Sequence, residues 1–195
     1  MNIFVVDINP AHAAIALPDK LIVKMPTESA QMLAHWAHAI HNTPIPKADG
    51  TPHVIKPSIL AHPCTKWLYS DSNHVWWLIN HAHVLCNEYT YRYKKSQGAQ
   101  DAIIHAHELF IKMNHPRNSR DISYFELAMP DQYKIPSDPV QSYRNYMMNE
   151  KGYAEWKHTL APDWWDHGIH APVRQKYLID KELKKLAKRT RATSI

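Results

Sequence analysis

Residues 19–42 read DKLIVKMPTESAQMLAHWAHAIHN, and this stretch decides the fold class. At 100° per residue, its largest apolar side chains fall on one arc of a helix. They are Met25, Met32, Leu33, Trp36 and Ile40. We therefore predict an amphipathic helix over residues 19–41, kinked or divided at Pro26, with this arc packed inward.

A second stripe of the same helix carries the polar side chains Glu28, Gln31, His35, His38 and Asn42. A carboxylate, an amide and two imidazoles on one line could supply acid/base chemistry or contact phosphates. A helix surface that only faces water explains the same pattern. The stripe alone therefore leaves both interpretations open.

Other stretches of the chain also carry helical patterns. We predict helices over residues 10–17, 70–95, 99–114 and 138–156, and a further one from Pro172 onward. Ser70 and Asp71 can cap the longest of these, in which Val75, Leu78, Ala82, Leu85 and Tyr89 recur at helical spacing.

Two segments are predicted not to be helical. Residues 1–7, MNIFVVD, favour a short strand or an extended buried terminus. Residues 42–66 contain five prolines and are predicted to form an ordered surface loop. The fold class is therefore mainly α, with a short extended N-terminal segment.

Length and charge indicate one domain and a basic tail. A chain of 195 residues with 45% hydrophobic side chains can bury one sizeable core. The net charge of +5 is uneven, because residues 174–195 carry +6 and the rest carry −1. We predict a compact helical domain over residues 1–172 and a basic helix or tail over residues 173–195, which suits a polyanion or merely aids solubility.

Several classes of protein do not fit the composition. No apolar run reaches the ~18 residues of a membrane span, and no signal peptide pattern is present, so a cytoplasmic chain is expected. The four glycines are isolated, which excludes a phosphate-cradling glycine-rich loop. The fifteen histidines include no HExxH motif, so we expect neither a metal site nor a cofactor.

Basic and aromatic residues alternate in three places, and such stretches stack on bases and hold the nucleic-acid backbone. These places and the tail provide the candidate contacts Tyr91, Arg92, Lys94, Lys95, Arg144, Lys184, Lys185, Lys188 and Arg189. The polar stripe adds Gln31, His35 and His38. For any one residue, an aromatic ring in the core with a basic neighbour reaching outward is the competing explanation.

Four segments together resemble the pyrimidine-dimer DNA glycosylase family, the endonuclease V type. They are residues 1–7, residues 19–28, residues 56–67 with His62-Pro63, and residues 77–93, WLINHAHVLCNEYTYRY. In the phage form of that family a catalytic Glu follows an Asp by nine positions, and Asp19 and Glu28 keep this spacing. The resemblance covers about the first 95 residues, and the chain also resembles a group of phage-encoded proteins that begin MNIFV.

This resemblance implies a DNA glycosylase and AP lyase whose N-terminal α-amine attacks the sugar C1′, forms a Schiff base and cleaves the strand by elimination. An α-amine is deprotonated more readily near neutral pH than a lysine side chain. The phage enzyme exposes a Thr once its initiator Met is removed, whereas Asn2 is expected to block that removal here. The resemblance therefore assigns the amine to Met1 and the carboxylate to Glu28, while Thr27 replaces a basic residue of the family.

Two other functions stay open from the sequence. One is a phage base-modifying or metal-dependent phosphodiester-cleaving enzyme that uses the same helical face. The other is a non-catalytic nucleic-acid-binding or host-inhibiting protein that uses the aromatic stretches and the tail. Under the glycosylase interpretation the partner is duplex DNA, and the oligomeric state is left open.

Overall fold

Helices dominate the part of the chain that the structure, a computed structural model, describes: residues 1–115, 122 and 124–192, with the backbone alone for residues 190–192. Their bounds are α1 Pro10–Ile15, α2 Asp19–His41, α3 Pro57–Leu60, α4 Pro63–Ser70, α5 Ser72–Tyr93, α6 Gln100–Lys112, α7 Pro139–Glu150 and α8 His167–Ala192. A 3-10 turn, Asp131–Tyr133, precedes α7. The predicted mainly helical fold is confirmed.

Helix α5 lies at the centre of the core, where it packs against α1, α2, α4 and α6. Its start is capped by Asp71, whose carboxylate accepts a hydrogen bond from the backbone N–H of Asn73 at 2.8 Å. The predicted apolar stripe is buried at Val75, Leu78, Ala82 and Leu85. The rotation of this helix was therefore predicted correctly.

Leu85→Ala is expected to lower the free energy of unfolding by roughly 2 to 5 kcal/mol, because Leu85 has no exposed surface and truncation leaves a cavity. Asn87→Ala on the exposed face of α5 should change it by less than about 0.5 kcal/mol. Urea unfolding of both variants measures the difference, and equal losses would contradict the packing.

Helix α2 runs unbroken from Asp19 to His41 with Pro26 inside it. Met25, Met32, Leu33 and Trp36 are buried as predicted. The prediction for Ile40 was wrong, since its side chain is 49% exposed. Residues 38–40 are all exposed, so the apolar periodicity continues past the last packed turn.

The N-terminal segment is a buried terminus with a turn at Phe4 rather than a strand. Residues 2–6 are buried, and the described residues form no strand beyond an isolated bridge between Pro46 and Pro52. Trp77 Nε1–H donates to the carbonyl of Ile8 at 2.7 Å. The first residues are thus held against α5.

The prediction of a single loop over residues 42–66 was wrong at its end, because α3 and the start of α4 lie within it. Pro57 and Pro63 occupy the first positions of these helices. Proline is favoured there, since its missing N–H would have no helical partner and its φ already suits a helix. These two prolines begin helices rather than prevent them.

The C-terminal helices differ from their predicted bounds. Helix α7 ends at Glu150 rather than near residue 156, and α8 starts at His167 rather than at Pro172, which lies inside it. The predicted division between residues 172 and 173 therefore falls within α8, and residues 193–195 lie outside the described residues. None of the described helices combines the length and apolar content needed to cross a bilayer.

Candidate functional site

The side chain of Asn2 holds the first residues of the chain in place. Its Oδ1 accepts hydrogen bonds from the backbone N–H groups of Ile3 and Phe4 at 2.7 and 3.0 Å. Its Nδ2 donates to the carbonyl of Ala128 at 2.7 Å. Asn2 is buried whereas Met1 is half-buried, so the α-amine is positioned by an anchored neighbour.

Phe4 adopts a left-handed backbone conformation, with φ of 42°. The left-handed conformation raises the conformational energy of a non-glycine residue by on the order of 1–2 kcal/mol. Backbone strain of this kind is concentrated at functional sites. The ring of Phe4 stacks on Tyr146 with centroids 6.4 Å apart and meets Tyr143 edge to face at 6.0 Å. Packing of this ring maintains the turn beside the α-amine.

Glu28 lies two residues after Pro26 on α2, and its side chain is 13% exposed. Lys24, one turn earlier, forms an ion pair with it at 2.8 Å. Lys24 itself is 63% exposed. The carboxylate therefore sits at the edge of the core, within reach of a ligand in solution.

The α-amine and Glu28 act on the same neighbours, His62 and Cys64. Burial lowers the pKa of His62 most, the positive N-terminal amine lowers it further, and Glu28 opposes both. Burial raises the pKa of the Cys64 thiol to about 12, the charges of Glu126 and Glu28 add to the rise, and the positive amine opposes it. The charges of the amine and of Glu28 therefore both act on residues at the start of α4, while the thiol stays protonated and unreactive.

The segment after α7 forms another wall of this site. Burial raises the pKa of Tyr153 to about 12, and the charge of Glu28 adds to the rise. Lys151 Nζ donates to the hydroxyl of Tyr146 at 2.6 Å and lies 5.9 Å from the ring centre of Phe4. The site thus joins the N-terminus, α2, α4 and the residues that follow α7.

Helix α8 packs directly against this wall. A side-chain carbon on Gly152 would lie 2.5 Å from Cβ of Tyr177 and 2.7 Å from the carbonyl oxygen of Val173, so only glycine allows the contact. Arg174 binds the carbonyl of Gly152 and the carboxylate of Glu155. The first part of α8 is therefore a component of the site.

A basic surface continues along α8. One groove of about 390 Å³ is lined by Tyr177, Asp180, Lys181, Lys184, Lys185 and Lys188. A cleft of about 320 Å³ shares Tyr177 and Lys181 with that groove and includes Lys20, Tyr153 and Arg174. The basic surface therefore continues from α8 to Tyr153, on which the charge of Glu28 also acts.

The sequence matches a known protein family. A family model described as pyrimidine dimer DNA glycosylase matches residues 1–101, slightly more than half of the chain. This chain belongs to the pyrimidine dimer DNA glycosylase family. A search of curated proteins and a search of solved structures gave no match.

Membership of the pyrimidine dimer DNA glycosylase family supports a DNA glycosylase-like role and DNA as the substrate. The matched residues include Met1, Glu28, His62 and Cys64, whereas Tyr153 and all of α8 lie beyond the match. The basic helix α8 and the residues that it packs against are therefore supplied by a region of the chain outside the family match.

Arg92 was predicted to contact nucleic acid, and its burial contradicts that prediction. Its side chain has no exposed surface and forms ion pairs with Asp19 at 3.1 Å and Glu88 at 2.9 Å. It also donates to the carbonyls of Ile15 and Leu17 at 2.8 and 2.9 Å. The guanidinium joins the ends of α1 and α5 to the start of α2 and is not available to a phosphate.

His35 was also predicted to contact nucleic acid, and this prediction was wrong for the same reason. Its ring is fully buried, Nδ1–H donates to the carbonyl of Gln31 at 2.6 Å, and Nε2 accepts from the backbone N–H of Lys56 at 2.9 Å. Burial lowers its pKa most. His35 is therefore a neutral residue that attaches the proline-rich segment to α2.

The other predicted contacts lie in four separate places. Gln31 is half-buried and His38 is exposed on α2, while Tyr91, Lys94 and Lys95 are exposed at the end of α5. Arg144 donates to the carbonyl of Val6 at 2.9 Å and stacks its guanidinium over Trp164 in a different cleft. Lys184, Lys185 and Lys188 share the groove on α8, and Arg189 is exposed on the same helix.

Within the described part of the chain, no three His, Cys, Asp or Glu side chains are grouped so that they could hold a metal ion. Two histidine pairs do form between helices or helix ends. His83 Nε2 lies 3.1 Å from His107 Nδ1, and His41 Nε2 lies 3.0 Å from His115 Nε2. Each distance fits one hydrogen bond between neutral rings.

Sequence reasoning did not assign His62 and Tyr153 to the site. His62 was noted in the His-Pro pair of the resemblance, but no helix was predicted to begin there. Pro63 at the first helical position was the signal that could have revealed the start of α4. Tyr153 follows Gly152 soon after the end of α7, and nothing in its own neighbourhood indicates that the charge of Glu28 acts on it.

Proposed function

We propose that this chain is a DNA glycosylase with AP lyase activity that acts on damaged or modified bases in duplex DNA and is encoded by a phage. The α-amine of Met1 is the nucleophile, and Glu28 stabilises the cationic sugar and carries protons. The observation that supports this assignment is the match of the pyrimidine dimer DNA glycosylase model to residues 1–101, which include Met1 and Glu28.

The chemistry suits these two groups. The amine nitrogen forms a bond to C1′ as the bond from C1′ to the base breaks and the base leaves with the electron pair. A carboxylate beside the cationic sugar lowers the energy of that transition state, and its partial burial strengthens the interaction. Loss of a proton from C2′ of the resulting iminium ion then expels the 3′ phosphate and cleaves the strand.

Binding of the duplex is assigned to the basic surface of α8. Phosphates pair with the lysines of its groove, and the cleft at Tyr177 and Lys181 continues this surface to Tyr153. The target nucleotide leaves the base stack to reach the amine, since C1′ inside a duplex is shielded.

Replacing Lys184, Lys185 and Lys188 together by Gln is expected to weaken duplex binding and to flatten its salt dependence by roughly 0.9 in the log–log slope for each lost phosphate contact. The domain should stay folded because all three side chains are exposed. Truncation at Arg174 would be less informative, since that residue holds α8 against Gly152. Fluorescence anisotropy across a salt series gives the slope.

A matched control replaces three exposed lysines outside α8 by Gln: Lys66, Lys112 and Lys134. This variant has the same net charge as the first. If both variants lose affinity and salt dependence equally, net charge rather than the α8 groove governs binding.

Borohydride trapping tests the proposed activity. The purified chain is incubated with ultraviolet-irradiated, uracil-containing and hydroxymethyluracil-containing duplexes in the presence of sodium borohydride, which reduces an imine to a stable covalent bond. We expect a covalent protein–DNA complex with at least one duplex, and none when the α-amine has been acetylated. A chain that binds all three duplexes without becoming trapped or cleaving them would be a nucleic-acid-binding protein instead.

A further inference from the structure

The orientation of the His62 ring is fixed by the start of α4. His62 is the N-cap residue of this helix, in an extended backbone conformation, and its Nδ1 accepts a hydrogen bond from the backbone N–H of Cys64 at 3.2 Å. An imidazole nitrogen that accepts a hydrogen bond carries no proton. The proton of the neutral ring is therefore on Nε2, which acts as a donor.

The surroundings keep this ring neutral. Its pKa is lowered by burial first and by the N-terminal amine second, with Glu28 opposing them. The N-terminal end of α4 also disfavours a positive charge at this position. A neutral imidazole held at a helix N-terminus can serve as a hydrogen-bond donor to a substrate oxygen.

The reaction creates an oxygen that needs such a donor. After the base has left, the amine nitrogen and the sugar ring oxygen O4′ are both bonded to C1′. The lone pair of the nitrogen forms the C1′=N bond as the C1′–O4′ bond breaks, and O4′ keeps the electron pair of that bond. Negative charge thus develops on an atom one bond away from the carbon that the amine attacks.

We propose that His62 is a further catalytic residue, which donates a hydrogen bond from Nε2–H to O4′ as the sugar ring opens; this inference rests on the proposed function. Glu28 takes one proton from the attacking amine and returns it to O4′, while the departing base takes its proton from solvent. His62 keeps its own proton throughout. The charges of the amine and of Glu28 both act on this ring, so the donor belongs to the same cluster as the proposed nucleophile and carboxylate.

The alternative role of His62 is only to cap α4, and His62→Asn separates the two roles. Asn is among the best N-cap residues, and its side-chain oxygen can accept the hydrogen bond from Cys64 that Nδ1 accepts now. It has no group at the position of Nε2. The variant therefore keeps the cap and removes the donor.

We expect His62→Asn to lower the rate of single-turnover cleavage about 100-fold, the effect of removing one such donor, while duplex affinity and the unfolding midpoint stay close to those of the unchanged chain. His62→Gln, whose amide N–H can approach the position of Nε2, should recover part of this rate. Cleavage by His62→Asn at the unchanged rate would overturn the proposal and leave His62 as a helix cap.

Trapping of the unchanged chain distinguishes failure of the role of His62 from failure of the proposed function. If the unchanged chain forms no borohydride-reducible complex with any of the three duplexes, the proposed function fails. If the unchanged chain is trapped and His62→Asn is trapped and cleaves equally fast, only the role of His62 fails.

Discussion

Glu28→Gln is expected to lower single-turnover cleavage of a lesion-bearing duplex by about 100-fold or more while binding to the same duplex survives. The amide keeps the shape of the side chain but cannot stabilise the cationic sugar or carry a proton. The fold should tolerate the change, because the ion pair with Lys24 joins neighbouring turns of one helix and contributes only about 0.3–0.5 kcal/mol. Rapid-quench cleavage and a binding titration on one DNA measure both effects.

Glu108→Gln is a suitable control, since it removes the same charge from an exposed position on α6. It should change neither cleavage nor binding. If Glu28→Gln cleaves at the unchanged rate, the carboxylate has no part in the mechanism. If it weakens binding and leaves the chemical step intact, this face of α2 is a contact surface.

Local signals predicted most of the helices. Asn9, Asp71 and Asp138 each accept a backbone hydrogen bond at the start of the helix that was predicted to follow them. The ends of α7 and α8 were predicted less well. Gly152 and Tyr177 determine where these helices pack, and their contact joins residues 25 positions apart.

In the candidate site too, contacts within one helix could be predicted from the sequence, and contacts between distant segments could not. The spacing of Asp19 and Glu28 led to the carboxylate, because both residues lie on one helix. The sequence could not reveal that Arg92 reaches inward, since its partners near residues 15–19 are more than 70 positions away. Helical periodicity also gave no sign that His107 meets His83 on another helix.

Arg92→Met is expected to lower the free energy of unfolding by roughly 3 to 5 kcal/mol, as the loss of one partner from a buried ion pair does. The change leaves the carboxylates of Asp19 and Glu88, only 12% and 15% exposed, without their shared cation. The carbonyls of Ile15 and Leu17 also lose their donor. Chemical denaturation monitored by circular dichroism measures the loss.

Lys95→Met is the matched control, because it removes the same charge from an exposed position three residues later and should cost less than about 0.5 kcal/mol. Equal stabilities of the two variants would contradict the anchoring role of Arg92. The anchor also bears on the site, since Asp19 begins α2 and Glu28 lies two and a half turns further along the same helix. Where Arg92→Met stays folded at low temperature, we therefore expect its cleavage to fall as well, while the Lys95 variant cleaves normally.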